Sequence, residues 1–154
     1  MDNPNQYIGR FVPKYPEKYR GKVDGIIFRS LWELRMMKML DEDERVLNWA
    51  SEEMHLYYLS PKDGFQHRYF PDFIAEFQMP DGTRTIKMLE VKPSKELVPP
   101  KPPKKNKVTK RFLKECLNYE VVQAKKLAAE DYCKARGWEY VFITEHDLFP
   151  KRGA

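Results

Sequence analysis

The sequence contains little cysteine, and its two thiols are too far apart to pair with each other. Cys116 and Cys133 are the two cysteines among 154 residues. Both fall in one predicted helix, where a rise of about 1.5 Å per residue separates them by about 25 Å. A disulfide between them is therefore excluded. We expect reduced thiols, and no Cys/His spacing resembles a zinc site.

Long apolar runs, a leader peptide and a glycine-rich loop are also missing. The mean hydropathy is −0.73 and no apolar stretch approaches twenty residues, so we expect no membrane span. The first residues lack the basic and apolar regions of a secretory signal, which predicts a protein that is not secreted. Seven glycines form no phosphate-binding loop, and no Ser/His/Asp or Cys/His nucleophile is readable. The sequence therefore offers neither a covalent nucleophile nor a glycine-rich phosphate loop.

A carboxylate and an amine do occur together at strand spacing. Glu90 and Lys92 lie two residues apart in an apolar run, so they share one face of an extended strand. The runs 66–77 and 83–91 flank an Asp-Gly turn signal. Paired as an antiparallel hairpin, these runs bring Asp72 beside Glu90.

These groups suit a divalent cation. The carboxylates of Asp72 and Glu90, with the backbone carbonyl of Val91, are hard oxygen ligands for Mg²⁺ that leave positions for water and phosphate. The ammonium of Lys92 can hold the attacking water or offset charge developing at phosphorus.

A bland interpretation competes with the metal site. Glu-x-Lys is frequent on solvated strand faces, with Glu90 and Lys92 outward while Leu89 and Val91 face the core. Pro-Asp is also a turn former. Asp72 favours the functional interpretation because it interrupts an apolar run, where an unpaired charge is costly.

The first predicted helix offers another carboxylate. Apolar residues at helical spacing over 31–40 predict a helix that begins after Ser30. Ser30 and Glu33 form the Ser-x-x-Glu pattern of a capping box. Glu33 is therefore either a capping residue or a further metal ligand directed toward the sheet, and periodicity does not separate the two.

Four short motifs, taken in order, resemble the PD-(D/E)xK nuclease superfamily. They are Phe-Arg-Ser-x-Trp-Glu at 28–33, Trp-x-Ser-Glu-Glu at 49–53, His-Arg-Tyr-Phe-x-Asp at 67–72 and Leu-Glu-Val-Lys-Pro at 89–93. From about residue 10 to 148 the chain is similar in particular to the head-completion nucleases of T-even-like tailed phages. The Tn7-type transposase endonuclease subunits and phage junction resolvases share this order of motifs.

The resemblance implies site residues and a cofactor. It implies catalytic roles for Glu33, Asp72, Glu90 and Lys92, with Mg²⁺ as the cofactor and Mn²⁺ as a substitute. Asp72, Glu90, Val91 and Glu33 are the expected metal ligands. Many related nucleases carry a glutamine that orients substrate or water where this chain has Gln123, although an exposed polar helix residue explains Gln123 equally well.

The resemblance also implies a fold and a setting. We expect a single α/β domain over 1–154 with a restriction-endonuclease-like core, a mixed β-sheet flanked by helices. Strand candidates at 54–59 and 138–144 and a helix over 109–136 give the order α-β-β-β-α-β. The implied setting is the host cytoplasm and the virion, with DNA and phage portal or neck proteins as partners. A transposase-type or junction-resolving endonuclease is one alternative, and a catalytically silent DNA-binding head or neck protein is another.

Basic residues concentrate in two segments. Between 92 and 114 the chain has nine basic residues and one acidic residue, and 1–22 has five basic and two acidic. We expect the N-terminal segment 1–27 and the Pro/Lys-rich loop 93–108 to contact phosphates. A solvated linker explains the loop equally well, and a loop that orders on DNA satisfies both. The candidate DNA contacts are Arg10, Lys14, Arg29, His67, Lys101, Lys104, Lys105, Lys107, Lys110 and Arg111.

Overall fold

The computed structural model describes residues 7–151, with the Asn106 side chain left out. Parts of the predicted domain, at 1–6 and 152–154, lie outside the described residues. The elements in chain order are β1 (Gly9–Arg10), β2 (Ile27–Phe28), α1 (Leu31–Glu42), β3 (Val46–Ser51), β4 (Leu56–Leu59), β5 (Gln66–Tyr69), β6 (Phe73–Gln78), β7 (Arg84–Val91), α2 (Lys110–Arg136), β8 (Glu139–Ile143) and α3 (Glu145–Leu148).

A four-stranded mixed sheet with the strand order β3-β6-β7-β8 is the centre of the fold. The β6 strand is antiparallel to β3 and β7, whereas β8 is parallel to β7. The parallel pair needs a long connection across the sheet, and α2 supplies it. The predicted fold class, a mixed sheet flanked by helices, is confirmed. Within residues 7–151, no helix has the length and apolar character that crossing a bilayer needs.

The two faces of the sheet carry separate apolar cores. On one face α1 packs Met37 against Trp49, Phe73 and Leu89 of the sheet. On the other, α2 and the β4–β5 hairpin cover Met88. Trp49, Phe73 and Met88 are fully buried, and burial of such side chains contributes about 1.5–3 kcal/mol each.

Local signals define the ends of the long helices. The Ser30 side chain accepts a hydrogen bond from the Glu33 N–H at the start of α1, and Thr109 caps α2 in the same way through Phe112. Gly137 ends α2 with φ at 72°, a left-handed backbone that glycine adopts without steric penalty. The start of α1 after Ser30 is therefore as predicted, and α2 begins one residue later than predicted because Thr109 caps it.

The predicted run 66–77 is not one strand. It breaks at Phe70–Asp72, where Pro71 has no N–H to donate, so β5 pairs with β4 and only β6 joins the central sheet. The predicted strand at 54–59 therefore belongs to this separate hairpin. Its expected place in the sheet is taken by β3, which the sequence analysis did not predict.

The competing interpretation, in which Glu90 lies on a solvated strand face, is wrong. Leu89 does face the α1 core, but Glu90 on the opposite face is only 7% exposed. The reason is that α2 and the hairpin cover that face, so β7 is buried on both sides.

A buried carboxylate attaches the N-terminal segment to α1. Asp41 is 2% exposed and accepts hydrogen bonds from the backbone N–H groups of Lys14 (2.7 Å) and Tyr15 (3.1 Å).

We expect Asp41→Ala to reduce the free energy of unfolding by about 2–4 kcal/mol, because two backbone donors lose their partner. Urea denaturation measures the change. The neighbouring Glu42→Ala, which removes only an exposed ion pair with Lys14, should have a much smaller effect, and equal effects would contradict this account.

Candidate active site

Three strand ends place carboxylates in a row at one edge of the sheet. Ser51 pairs with Phe73, and Phe73 pairs with Leu89. One residue beyond this register stand Glu52, Asp72 and Glu90. The strand pairing therefore aligns acidic residues that are 18 to 38 positions apart in the sequence.

Two of these carboxylates, Glu52 and Asp72, form a tight cluster with Glu33 of α1. One oxygen from each of Glu33, Glu52 and Asp72 lies within 4.8 Å of the others. The Ser30 hydroxyl accepts from the Glu33 N–H at 3.1 Å and donates to the Glu33 carboxylate at 3.3 Å. The capping interaction and the approach to the cluster therefore occur together, and the two interpretations of Glu33 do not exclude each other.

Asp72 is tied to β7 through the backbone. The Val91 N–H donates to Asp72 Oδ2 at 2.8 Å, which orients the carboxylate along the sheet edge. Burial raises the pKa of Asp72 to about 7, and the charges of Glu33 and Glu52 act in the same direction. The Val91 N–H and Lys92 oppose that shift. A cation at this edge would relieve the repulsion.

Glu90 is held by tyrosines. The Tyr69 hydroxyl donates to the Glu90 carboxylate, and Tyr69 and Tyr140 hydroxyls lie 2.8 Å apart. Burial raises the pKa of Glu90 to about 8, opposed by the nearby charges of Lys92 and Lys125. Glu90 is therefore a buried carboxylate beside the cluster, with one oxygen already engaged by a neutral donor.

Glu52 is a site residue that the sequence analysis missed. Its backbone has φ at 52°, which is rare outside glycine. The side chain joins Glu33 and Asp72, and Arg29 Nη2 lies 3.4 Å from its carboxylate. The residue lies in the Trp-x-Ser-Glu-Glu motif, but no periodicity distinguished it from its neighbour Glu53. Arg29 is therefore a candidate DNA contact that the structure brings to the carboxylates.

Lys125 is the second missed residue, and Gln123 lies elsewhere. Burial lowers the pKa of Lys125, and the charges of Glu90 and Asp72 oppose this shift. Its ammonium lies 5.3 Å from the Tyr69 ring centre. Gln123 instead lines a shallow cleft with Ser60, Pro61 and Gly64 of the β4–β5 hairpin. Gln123 and Lys125 are two positions apart, which corresponds to a rotation of about 200° around the helix axis. Their side chains therefore leave α2 in different directions.

The remaining candidate DNA contacts are dispersed. Lys14, His67 and Arg111 pair with Glu42, Asp63 and Glu115. Arg10 is exposed on β1. The other candidates, all exposed on the segment after the site or at the start of α2, are Lys101, Lys104, Lys105, Lys107 and Lys110.

The donor set fits a hard divalent cation. Every side chain in the cluster offers carboxylate oxygen, which suits Mg²⁺ or Mn²⁺ and not a soft thiophilic metal. Three crowded carboxylates in a partly buried position are electrostatically unfavourable by themselves, and a bound cation would offset that. The residues therefore fit the cofactor that the motifs imply.

A helix-flanked mixed sheet with carboxylates and an amine at one edge is the arrangement of a nuclease. The family model described as TnsA-like endonuclease N terminal matches residues 43–145, two thirds of the chain. The head completion nuclease of Enterobacteria phage T4 is 33% identical over 144 residues, which cover 92% of this chain and 93% of that protein. The chain belongs to the TnsA-like endonuclease family, as the motifs indicated.

The raised carboxyl pKa values predict a pH-dependent stability. Without metal, we expect the free energy of unfolding to fall progressively as pH rises from 5 to 8. The folded protein retains protons on Asp72 up to pH about 7, whereas the unfolded chain loses them near 3.8. Across this range the loss attributable to Asp72 is at most about 3 kcal/mol. Urea denaturation in EDTA across this range measures it.

Two variants test the assignment of that slope. Asp72→Asn should make the slope shallower, because the amide cannot ionise and still accepts from the Val91 N–H. Glu90, whose pKa is raised to about 8, keeps its own contribution. Glu44→Gln changes an exposed carboxylate away from the site and should leave the slope intact. A pH-independent wild type, or equal slopes in all three proteins, would show that the carboxylates are not buried as described.

Proposed function

We propose that this chain is a metal-dependent DNA endonuclease of the PD-(D/E)xK type that uses Mg²⁺, with Mn²⁺ as a substitute. The observation that carries the proposal is the carboxylate cluster, with oxygens of Glu33, Glu52 and Asp72 within 4.8 Å of one another. Membership of an endonuclease family supports the reaction class.

Each residue at the sheet edge has a distinct part in the proposed site. Glu33, Glu52 and Asp72 would hold the cation, and the Val91 carbonyl and Glu90 would offer further oxygen atoms at the end of β7. The cation supplies Lewis-acid chemistry, which makes water nucleophilic and offsets charge on the phosphate. The Val91 N–H keeps Asp72 oriented, and Tyr69 does the same for Glu90.

Two amines provide positive charge on the same side. Lys92 follows Glu90 at strand spacing and affects the pKa of both Asp72 and Glu90. Lys125 approaches from α2, held over the Tyr58 and Tyr69 rings. Either ammonium is suited to pair with a phosphate oxygen or to orient the attacking water. Lys125, and not Gln123, is the α2 residue that we place in the site.

DNA approaches the site along the Pro/Lys-rich loop 93–108, which begins directly after Lys92. Pro93 follows Lys92 directly, and the Ser94 N–H binds the Glu145 carboxylate of α3 at 3.0 Å, which anchors the start of the segment. The lysines beyond are exposed, as phosphate contacts must be. Such contacts provide affinity without base identity.

The biological setting that we propose is phage head completion in the host cytoplasm, with portal or neck proteins as partners and incorporation into the virion. The support is the similarity to the T4 head completion nuclease, which extends over nearly all of both proteins. The match to the TnsA-like family favours a transposase-type endonuclease as the second candidate. Cleavage that requires a partner transposase would favour this candidate, whereas cleavage by the isolated chain favours the first.

Cation binding and cleavage should depend on the same carboxylates. We expect the purified protein to cut DNA with Mg²⁺ or Mn²⁺ and to be inactive in EDTA. Glu52→Gln and Asp72→Asn should each reduce cleavage at least about a hundredfold, because each removes one anionic ligand. Calorimetry should show weaker Mn²⁺ binding in both variants, while the folded structure is retained.

Glu139→Gln is the matched control. This exposed glutamate starts β8 beside Lys87, three residues before Phe142, the β8 partner of Glu90, so its loss should change neither cation affinity nor cleavage. Wild-type Mn²⁺ affinity in Asp72→Asn would reject the assigned site. An inactive wild type that still binds DNA would instead favour the silent structural protein.

The lysine-rich segment should govern affinity and not chemistry. Changing Lys101, Lys104, Lys105 and Lys107 together to glutamine should weaken binding similarly on unrelated duplexes. The slope of log K against log salt should fall by up to about 3 to 4, because each phosphate contact contributes about 0.9. Filter binding at several salt concentrations measures this, and saturating DNA should restore turnover. An unchanged slope would leave the segment as a linker and place the DNA path near Arg10, Lys14, Lys18 and Arg20.

A further inference from the structure

One face of the β4–β5 hairpin stays exposed in the part of the chain that the structure describes. Its two strands form a separate sheet whose register pairs Leu56 with Tyr69 and Tyr57 with Arg68. The inner face, with Leu56 and Tyr69, packs into the core beneath α2. Alternation along the strands directs Tyr57 and Arg68 to the outer face, away from that core.

The outer face displays aromatic rings in contact with one another. Tyr57 is 59% exposed and Phe70 is 44% exposed. The His55 ring lies between them, with centroid distances of 5.3 Å to each. Arg68 stands directly across the strands from Tyr57. An exposed aromatic cluster is unfavourable in water, so its presence points to a ligand.

This face adjoins the proposed site of cleavage. Phe70 precedes Asp72 by two residues, which limits the separation of their Cα atoms to about 7 Å. On the inner face, Tyr69 binds Glu90 and lies beneath Lys125. The hairpin therefore links the carboxylates on its inner side to the aromatic rings on its outer side.

The chemistry of the face selects one class of ligand. Bases within a duplex are stacked on one another and expose no ring face, whereas unpaired bases stack readily on aromatic side chains. Arg68 adds a charge that pairs with phosphate and a planar group that stacks on bases. Aromatic rings combined with a guanidinium fit nucleic acid better than an apolar protein surface.

We propose that the outer face of the β4–β5 hairpin, formed by His55, Tyr57, Arg68 and Phe70, binds unpaired nucleotides next to the scissile phosphate. The preferred substrate is then DNA with a single-stranded region at the cut, such as a flap, a gap or a frayed end. The proposal rests on the proposed nuclease function, because it assigns part of the substrate to the same site.

Fluorescence anisotropy with full-length protein in Ca²⁺ tests the proposal, since Ca²⁺ supports binding with little hydrolysis. The probes are a labelled single strand, a flap and a blunt duplex of the same length. We expect the Tyr57→Ala/Phe70→Ala double variant to bind the single strand and the flap about ten- to a hundredfold more weakly. Its duplex affinity should stay within about twofold, because phosphate contacts remain.

Two controls accompany that measurement. Tyr57→Phe keeps the stacking surface and should bind like wild type. Phe149→Ala removes a ring of similar exposure, 48% accessible, that packs on Trp32 of α1, and should also bind like wild type. Melting temperatures identify any variant that fails to fold. In that case Arg68→Gln, on the same face, replaces it, and single-strand and flap affinity should again fall more than duplex affinity.

Three results would overturn the proposal. They are an unchanged single-strand affinity in the double variant, an equal loss for duplex and single strand, and a wild-type dimer that the substitutions convert to monomer in sedimentation. The last would identify the face as a contact between copies. Because binding is measured without cleavage, these outcomes are distinct from a failure of the proposed nuclease function, which appears as absent cleavage by wild type in Mg²⁺.

Discussion

Crowded negative charge at one edge of a buried sheet is the constraint on which the rest of this structure depends. Strand register aligns Glu52, Asp72 and Glu90, and the first turn of α1 adds Glu33. The fold compensates locally with the Val91 N–H on Asp72 and the Tyr69 hydroxyl on Glu90. Those partners lie on different elements, so the charges stay together only while the whole edge is assembled.

Because both faces of the sheet are covered, the carboxylates at its end are shielded from water. Burial raises the pKa of Asp72 and Glu90 because α2 and the β4–β5 hairpin remove water from their surroundings. The same two elements bring Lys125 and Tyr69 to the site. Elements that look peripheral in the topology thus determine the electrostatics of the centre.

Much of the fold could be predicted from local signals. The Asp-Gly turn predicted the β6–β7 hairpin, and Ser30 predicted the start of α1. The predicted helix 109–136 matches α2 apart from Thr109, which is its N-cap. These signals succeed because they act within a few residues of the chain. Asp72 and Glu90 came together for the same reason, since one short turn fixes their register.

The rest depends on contacts between distant segments. The β3 strand escaped prediction because its apolar residues do not alternate strictly, and Pro71 divides a run whose composition reads as continuous. Glu52 reaches the cluster through an unusual backbone angle, and Lys125 through the rotation of α2 against the sheet. Neither the angle nor the rotation leaves a periodic trace in the sequence.

The left-handed backbone at Glu52 shows how opposing demands meet at one position. Steric crowding of a side chain in this conformation costs about 1–2 kcal/mol, which glycine would avoid. The carboxylate cluster, in contrast, needs a side chain with oxygen atoms at that point. If stability alone determined this position, glycine would be the more favourable residue. A glutamate here therefore indicates a role other than stabilising the fold.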